Sequence, residues 1–212
     1  MTDVWSKRAH AYVESDTHRE GRDLDLLVSW AEGESALDVA AGGGHVARRL
    51  RGLGFEVTTL DPAPGMKADV LAAAEDIPFA DGSFDTVATR IAPHHFSAID
   101  TAVAEMARVA RRVVLVEDTL YSSEEVEEAE RLHDATHVRS YSEREWRTFL
   151  EDAGLTVEEV VLQEKQRDFG AWCDRTGCVG PERERARKLL GDRIDERGVY
   201  TDTKILLKGR KR

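Results

Sequence analysis

The tightest constraint on the fold is the stretch ALDVAAGGGHVARRL, residues 36–50. Its first four residues read as a buried strand, Gly42, Gly43 and Gly44 make a turn, and Val46, Ala47 and Leu50 begin a helix. Glycine suits such a turn because it tolerates positive φ and has no Cβ to hold a ligand away from the amides at the helix start. A second strand, over residues 56–60, ends in Asp61, nineteen residues beyond Gly42. A carboxylate there can accept hydrogen bonds from both hydroxyls of a ribose. Strand, glycine turn, helix and strand make the opening of an α/β domain. A chain of 212 residues is long enough for one such domain and too short for two enzymes.

The flanking chain extends this pattern. Residues 1–33 read as two short helices, AHAYVES and RDLDLLVSWAE, the second with Leu24, Leu27, Val28 and Ala31 at helical spacing. They are expected to cover the ligand site, with Tyr12 and His18 the residues there able to reach it. After Asp61, two prolines and a glycine forbid a long helix, so the spacing predicts a third strand over residues 68–72 behind a shortened crossover. FDTVATR is a buried strand ending at Arg90. Ser97 is the expected N-cap of a helix with Ile99, Val103, Met106 and Ala110 on one face, and residues 112–116 form the fifth strand.

Beyond Glu117 an acidic helix, SSEEVEEAERLHDA, is expected to keep a solvated face while Leu132 and His133 look inward. Ser142 and Glu145 form a capping box for a helix bearing Trp146, Phe149, Leu150 and Ala153, with Gly154 as its stop. A strand over residues 155–162, a helix from about Pro181 with Leu189, Leu190 and Ile194, and a returning strand over residues 203–207 complete the pattern. The expected fold is therefore α/β, Rossmann-like, with a seven-stranded, mainly parallel sheet whose last strand is antiparallel and helices on both faces.

Charge and cysteine content exclude several functions. A net charge of −11 argues against nucleic acid or an anionic membrane as partner. The only basic cluster, KGRKR, is expected to fray after the last strand. No apolar run reaches the length of a membrane span and the start MTDVWSKRAH has no apolar signal core, so a cytoplasmic location is expected. Cys173 and Cys178, separated by DRTG in an expected loop, have no further cysteine to complete a zinc site, so no metal is expected and the thiols are idle.

A nicotinamide- or flavin-binding turn reads G-x-G-x-x-G, and here His45 stands at the third glycine, which disfavours a dinucleotide. The stretch AAAEDIPFADGSFDTVATRIAPHHF instead closely resembles the pattern D-A-E-x-L-P-F-x-D-x-S-F-D-x-V-x-x-R-x-A-x-H-H-F of class I S-adenosylmethionine-dependent methyltransferases. The family is the type 11-like one that includes the C-methyltransferases of ubiquinone and menaquinone biosynthesis. HVRSYSEREWRTFLEDAGL is similar to its segment after the fifth strand, so the likeness runs over residues 36–155.

The resemblance implies S-adenosyl-L-methionine as cofactor. Gly42, Gly43 and Gly44 would pass under its methionine part and ribose, Asp61 and Pro62 would lie at the ribose, and the backbone of Ala74 and Glu75 would read the adenine edge. Asp38 and Arg90, at the ends of their strands, would complete the site. The family's adenine-binding Asp falls on Ala73, leaving Glu75 or Asp76 to supply an acid; its first glycine falls on Ala40, a position that strand geometry can accept; and its R-P-G-G turn is absent. The implied domain is single: a helical cap at 1–33, a cofactor half at 34–118, and a substrate-side lid with the last strands at 119–212.

Methyl transfer from a sulfonium is an in-line displacement, for which a protein aligns the nucleophile at about 3–3.5 Å and excludes water. Histidine is the side chain suited to taking a proton from an acceptor near neutral pH. His94 and His95 follow the strand ending at Arg90, while His133, His137 and Tyr141 lie in the lid segment; His95 and His137 are the expected catalytic pair. The expected acceptor is a small, partly apolar molecule. Two other functions compete: a non-catalytic, regulatory binder of S-adenosylmethionine or S-adenosylhomocysteine, and a nicotinamide-dependent oxidoreductase. The acceptor atom and the oligomeric state are open at this level.

Overall fold

In the computed structural model, residues 4–6 and 20–212 are described; Tyr12, His18 and the first expected helix lie outside the described residues. The remainder runs α1 (Arg22–Ser29), β1 (Ser35–Val39), α2 (His45–Gly52), β2 (Glu56–Leu60), β3 (Phe84–Arg90), α3 (Ile99–Val109), β4 (Ala110–Thr119), α4 (Glu124–His133), α5 (Glu143–Asp152), β5 (Leu155–Asp168), α6 (Phe169–Thr176), α7 (Gly180–Leu190) and β6 (Val199–Lys211). The strands form one sheet in the order β2-β1-β3-β4-β6-β5. The first four in that order are parallel, and β6 runs antiparallel between β4 and β5. The chain leaves β1 to one side for β2 and to the other for β3, so the sheet's switch point lies at the carboxyl end of β1, where open α/β sheets bind ligands.

Alternation along the strands sends their side chains to two apolar layers. Leu37, Val39, Val87, Val114 and Val116 pack under α3 and α5, against Ala102, Val103, Met106, Trp146 and Leu150. Ala36, Ala88, Val113 and Leu115 face α1 and α2, against Leu24, Leu27, Val46 and Leu50. A third cluster, outside the sheet layers, joins Val126 and Ala129 of α4 to Trp172, Cys173, Ala186, Leu190 and Tyr200.

The sheet has six strands rather than the seven expected, because residues 68–72 form no strand. Only Val70 pairs with β2: its N–H donates to the Thr59 carbonyl at 3.0 Å and its carbonyl accepts from Asp61 N at 3.1 Å. The Thr59 N–H, which a lengthening ladder would use, is taken instead by the Asp69 carboxylate at 2.9 Å, and the Thr59 hydroxyl by the same oxygen at 2.7 Å. A side chain thus occupies the next rung. The crossover before it is a single 3-10 turn, Pro64–Met66.

The last two strands exceed expectation in length. The polar run QEKQRD carries no apolar periodicity, yet Gln163–Asp168 pairs residue for residue with the start of β6. The basic cluster at the C-terminus is part of β6 and does not fray. Lys208 Nζ lies 2.9 Å from Glu32 and 3.1 Å from Glu158, Arg210 pairs with the same two acids, and Lys211 Nζ donates to the Ala107 carbonyl at 2.6 Å.

The cap of α3 also differs from expectation. The helix begins at Ile99 after Ala98, and no side chain of its own N-cap residue bonds to it. Glu75 performs that service from across the site: its Oε1 accepts from Ser97 N and Oγ, both at 2.8 Å, and from Ala98 N at 3.2 Å. The capping box of α5 forms as the sequence requires, with Ser142 and Glu145 bonded reciprocally, and Gly154 follows at φ 81°. Cys173 lies on α6 rather than in a loop; both thiols are free and buried, and burial pushes Cys173 up to about 12.

Candidate functional site

The carboxyl ends of β1, β2 and β3 surround a cavity of about 260 Å³. Asp38, Gly42, Gly43, Asp61, Pro62, Ala74, Glu75 and Arg90 all line it, so residues spread over half a hundred positions converge on one space. Gly44 does not line it. Gly44 is the N-cap of α2 at φ 69°, and a Cβ there would meet nothing within 4 Å. Its left-handed φ is itself a conformational requirement for glycine.

Each polar group at the rim has an assigned burden. Asp61 holds the turn together: Oδ2 accepts from Gly42 N and Oδ1 from Ala63 N, both at 2.9 Å. Asp38 accepts from Ala47 N in the first turn of α2 at 2.9 Å. Burial raises the Asp38 carboxyl to about 7, with the nearby Asp61 charge adding to the rise and the Ala47 N–H opposing it. Arg90 is fixed between Glu117, at 2.6 Å, and Asp23 of α1, at 2.5 Å. Burial likewise raises Glu117 to about 7 against the pull of Arg90. Asp23 escaped sequence reading because RDLDLLVS presents an ordinary amphipathic helix, in which an acid signals a solvated face.

Three described non-glycine residues have left-handed backbone, Lys67 after the 3-10 turn and two at the cavity. Ala40 sits at φ 54° and Ile91 at φ 51°. The substitution of Ala for glycine at position 40 therefore falls on left-handed backbone and not on a neutral strand position. A β-branched residue in that region is a true outlier, costing about 1–3 kcal/mol, and such residues collect at functional sites. Ile91 follows the last residue of β3 and is pinned by its N–H to the Glu117 carbonyl at 2.8 Å. Nothing in its residue type announced this role.

His95 and Trp5 complete the cavity wall, their rings 4.6 Å apart edge to face. Ser6, beside Trp5, accepts from Gly65 N at 2.7 Å, so it lies against the loop after β2. His95 Nδ1 lies 3.0 Å from the Thr136 carbonyl. A carbonyl only accepts, so Nδ1 carries the proton and Nε2 holds the lone pair. Burial, then the charge of His94, lowers His95 to about 3, which makes it a neutral hydrogen-bond acceptor over the working pH range. His94 bonds Asp118 through Nδ1 at 2.5 Å; burial works against its charge, but that carboxylate outweighs it and the pKa is raised.

His137 is not in the cavity wall. It is buried with Nε2 3.1 Å from Glu127, whose carboxylate also takes the Ser140 N–H, so the pair ties the 134–141 loop to α4. Glu127 is thus a buried acid on the helix expected to be solvated on its charged face. His133 is buried as expected and stacks on Trp172 at 3.7 Å, while Tyr141 packs edge-on to Trp146 and Phe149. Asp76 does not reach the cavity, and Glu75 spends one oxygen on α3. Among the described residues no group of histidine, cysteine and acid side chains has the arrangement of a metal site, and no helix is long and apolar enough to cross a membrane.

A parallel sheet with a glycine turn at its switch point, an acid closing the next strand and a cavity above them define a class I methyltransferase fold. Residues 37–115 match the Methyltransf_11 family, described as a methyltransferase domain. Over this core the chain is similar to the class I S-adenosylmethionine-dependent methyltransferases. It is 29% identical over 220 residues to the uncharacterized methyltransferase YcgJ of Bacillus subtilis, covering 91% of this chain and 86% of that one. The YcgJ crystal structure superposes with a TM-score of 0.80 over 90% of this chain and 98% of that chain. A putative methyltransferase of Bacillus halodurans is 29% identical with a TM-score of 0.74, covering 90% and 99%. A demethylmenaquinone methyltransferase of Beutenbergia cavernae is 36% identical over 98 residues, 40% of this chain and 41% of that protein.

Proposed function

We propose that this protein binds S-adenosylmethionine in the 260 Å³ cavity and transfers its methyl group, in line, to a small, partly apolar acceptor. The observation that carries the reading is the convergence of Asp38, the Gly42–Gly43 turn, Asp61 and the Ala74–Glu75 backbone on one space. When bound, the cofactor supplies an electrophilic methyl on a sulfonium. The residues fit it: Asp61 offers a carboxylate for ribose hydroxyls, Gly42 offers backbone without a side chain at left-handed φ, and Ala74 and Glu75 offer main-chain groups to the adenine.

The protein's part is positioning. His95, fixed as the Nδ1–H tautomer by Thr136, presents a neutral Nε2 that accepts a hydrogen bond from an acceptor N–H or O–H and orients its lone pair. A group lowered to about 3 is a weak base, so this orienting role suits it better than proton removal. His137 acts at one remove, holding the loop that carries Thr136. Trp5 and Phe96 exclude water from the cavity wall.

Calorimetry with S-adenosylmethionine and S-adenosylhomocysteine tests the reading. Both should bind, and Asp61→Ala should weaken both by roughly ten- to a hundred-fold, the worth of charge-assisted hydrogen bonds to two hydroxyls. Unchanged affinity in the variant, or no binding to the wild type, refutes it. A metabolite screen with methyl-labelled cofactor then identifies acceptors.

A further inference from the structure

Behind the cofactor cavity lies a second, smaller chamber of about 30 Å³, and His95 and Ile91 line both. Its wall carries cations and two acids, Glu130 and Asp134. Arg167 and Lys204, from the paired strands β5 and β6, both face it, as does His94. Arg167 is nine-tenths buried and spends Nη2 on both oxygens of Asp202 at 2.6 Å. Its Nε is buried and has no hydrogen-bond partner among the described residues. Lys204, 1% exposed, gives two of its three protons, to Thr119 Oγ1 at 2.5 Å and Asp202 at 2.8 Å. His94 uses Nδ1 on Asp118, and its raised pKa favours a second N–H at Nε2. Donors therefore remain on three side chains. Glu130, on the same wall, has one oxygen engaged by the Tyr200 hydroxyl at 3.4 Å.

Unsatisfied buried donors are costly and ask for a ligand or water. A water needs about 10–15 Å³ on this measure, so the chamber has room for roughly two oxygen-sized groups. That is the size of a carboxylate, which the unspent Arg167 Nε–H can meet with a charge-assisted hydrogen bond. One wall of the chamber is the residue pair beside the cofactor cavity, so a molecule anchored there by one end places its next few atoms against His95.

We propose that this chamber receives a carboxylate of the methyl acceptor, held by Arg167 with Lys204 and His94, and that the acceptor is therefore a small carboxylic acid whose nucleophilic atom lies near the carboxylate. The assignment rests on the methyltransferase reading above. It also sharpens the acceptor class: the protein's net negative charge repels polyanions at a distance, while a single carboxylate can meet the unspent Arg167 Nε–H.

The test titrates propanoate, butanoate and phenylacetate, and their amides as isosteric controls, into the full-length protein saturated with S-adenosylhomocysteine. Binding is read by calorimetry and by thermal shift. At least one acid should bind at least ten-fold more tightly than its amide. Arg167→Gln should abolish that preference without changing S-adenosylhomocysteine affinity. Arg167→Lys, which keeps the charge beside Asp202 and hence the fold, should weaken acid binding about ten-fold because it loses the free Nε–H. Equal binding of acids and amides, or an unchanged preference in both variants, overturns the chamber assignment and leaves the cofactor reading standing. Failure of S-adenosylhomocysteine to bind the wild type overturns the methyltransferase reading, and the acceptor assignment with it.

Discussion

Replacing Asp38 by Asn should stabilise the protein near neutral pH and leave it unchanged in acid. Asp38 is 2% exposed and its carboxyl is raised from 3.8 to about 7 by burial, with the charge of Asp61 adding to the effect. Between about pH 4 and pH 7 the folded protein holds a proton on this group that the unfolded chain has released. Stability must then fall as pH rises through this window, by about 1.4 kcal/mol per pH unit, and level off above it. Over about three units the loss approaches 4 kcal/mol, a large share of a domain's total. An Asn side chain has the acid's shape, its oxygen can still accept from Ala47 N, and it has no charge to desolvate. Urea denaturation of both proteins at pH 4, 5, 6, 7 and 8 reads the effect. The curves should meet near pH 4 and separate steadily to pH 7. Glu117, also raised to about 7, contributes equally to both proteins and cancels in the difference. Parallel curves across the window would refute the argument that burial dominates this carboxyl.

Gly44→Val should destabilise the fold by about 1–3 kcal/mol through left-handed strain, seen as a lower melting temperature. Since Gly44 does not line the cavity, cofactor affinity of the folded fraction should be retained, and a large selective loss would count against the geometry. Glu75→Ala removes the acceptor for Ser97 N, Ser97 Oγ and Ala98 N, so urea stability should drop by about 1 kcal/mol, and an unchanged midpoint would show the cap to be idle. His137→Ala leaves the Glu127 carboxylate buried with only Ser140 N, Arg131 and the helix for company. It should cost about 1.5–3 kcal/mol and lower turnover on any identified acceptor while sparing cofactor affinity, and a variant of wild-type stability and rate would make the residue dispensable.

The sequence by itself determined what is local. A glycine turn between two apolar runs can only be a strand, a tight turn and a helix, and Ser142 with Glu145 can only cap, because each signal is complete within a few residues. The Gly42 turn and Asp61 were legible from spacing, since parallel strands with fixed connections bring their carboxyl ends together, while Asp38 and Glu75 came from the family resemblance. Tertiary structure decided whatever depended on partners distant in the chain. Residues 68–72 are no strand because Asp69 reaches Thr59, and QEKQRD is a strand because β6 lies beside it. Glu75 caps a helix 22 positions away, and Arg90 meets an acid 67 positions before it. The strain at Ile91, the tautomer of His95 and the chamber of Arg167 and Lys204 are likewise products of packing. A charged residue in a sequence reads as solvent-facing until the fold supplies the countercharge that lets it be buried.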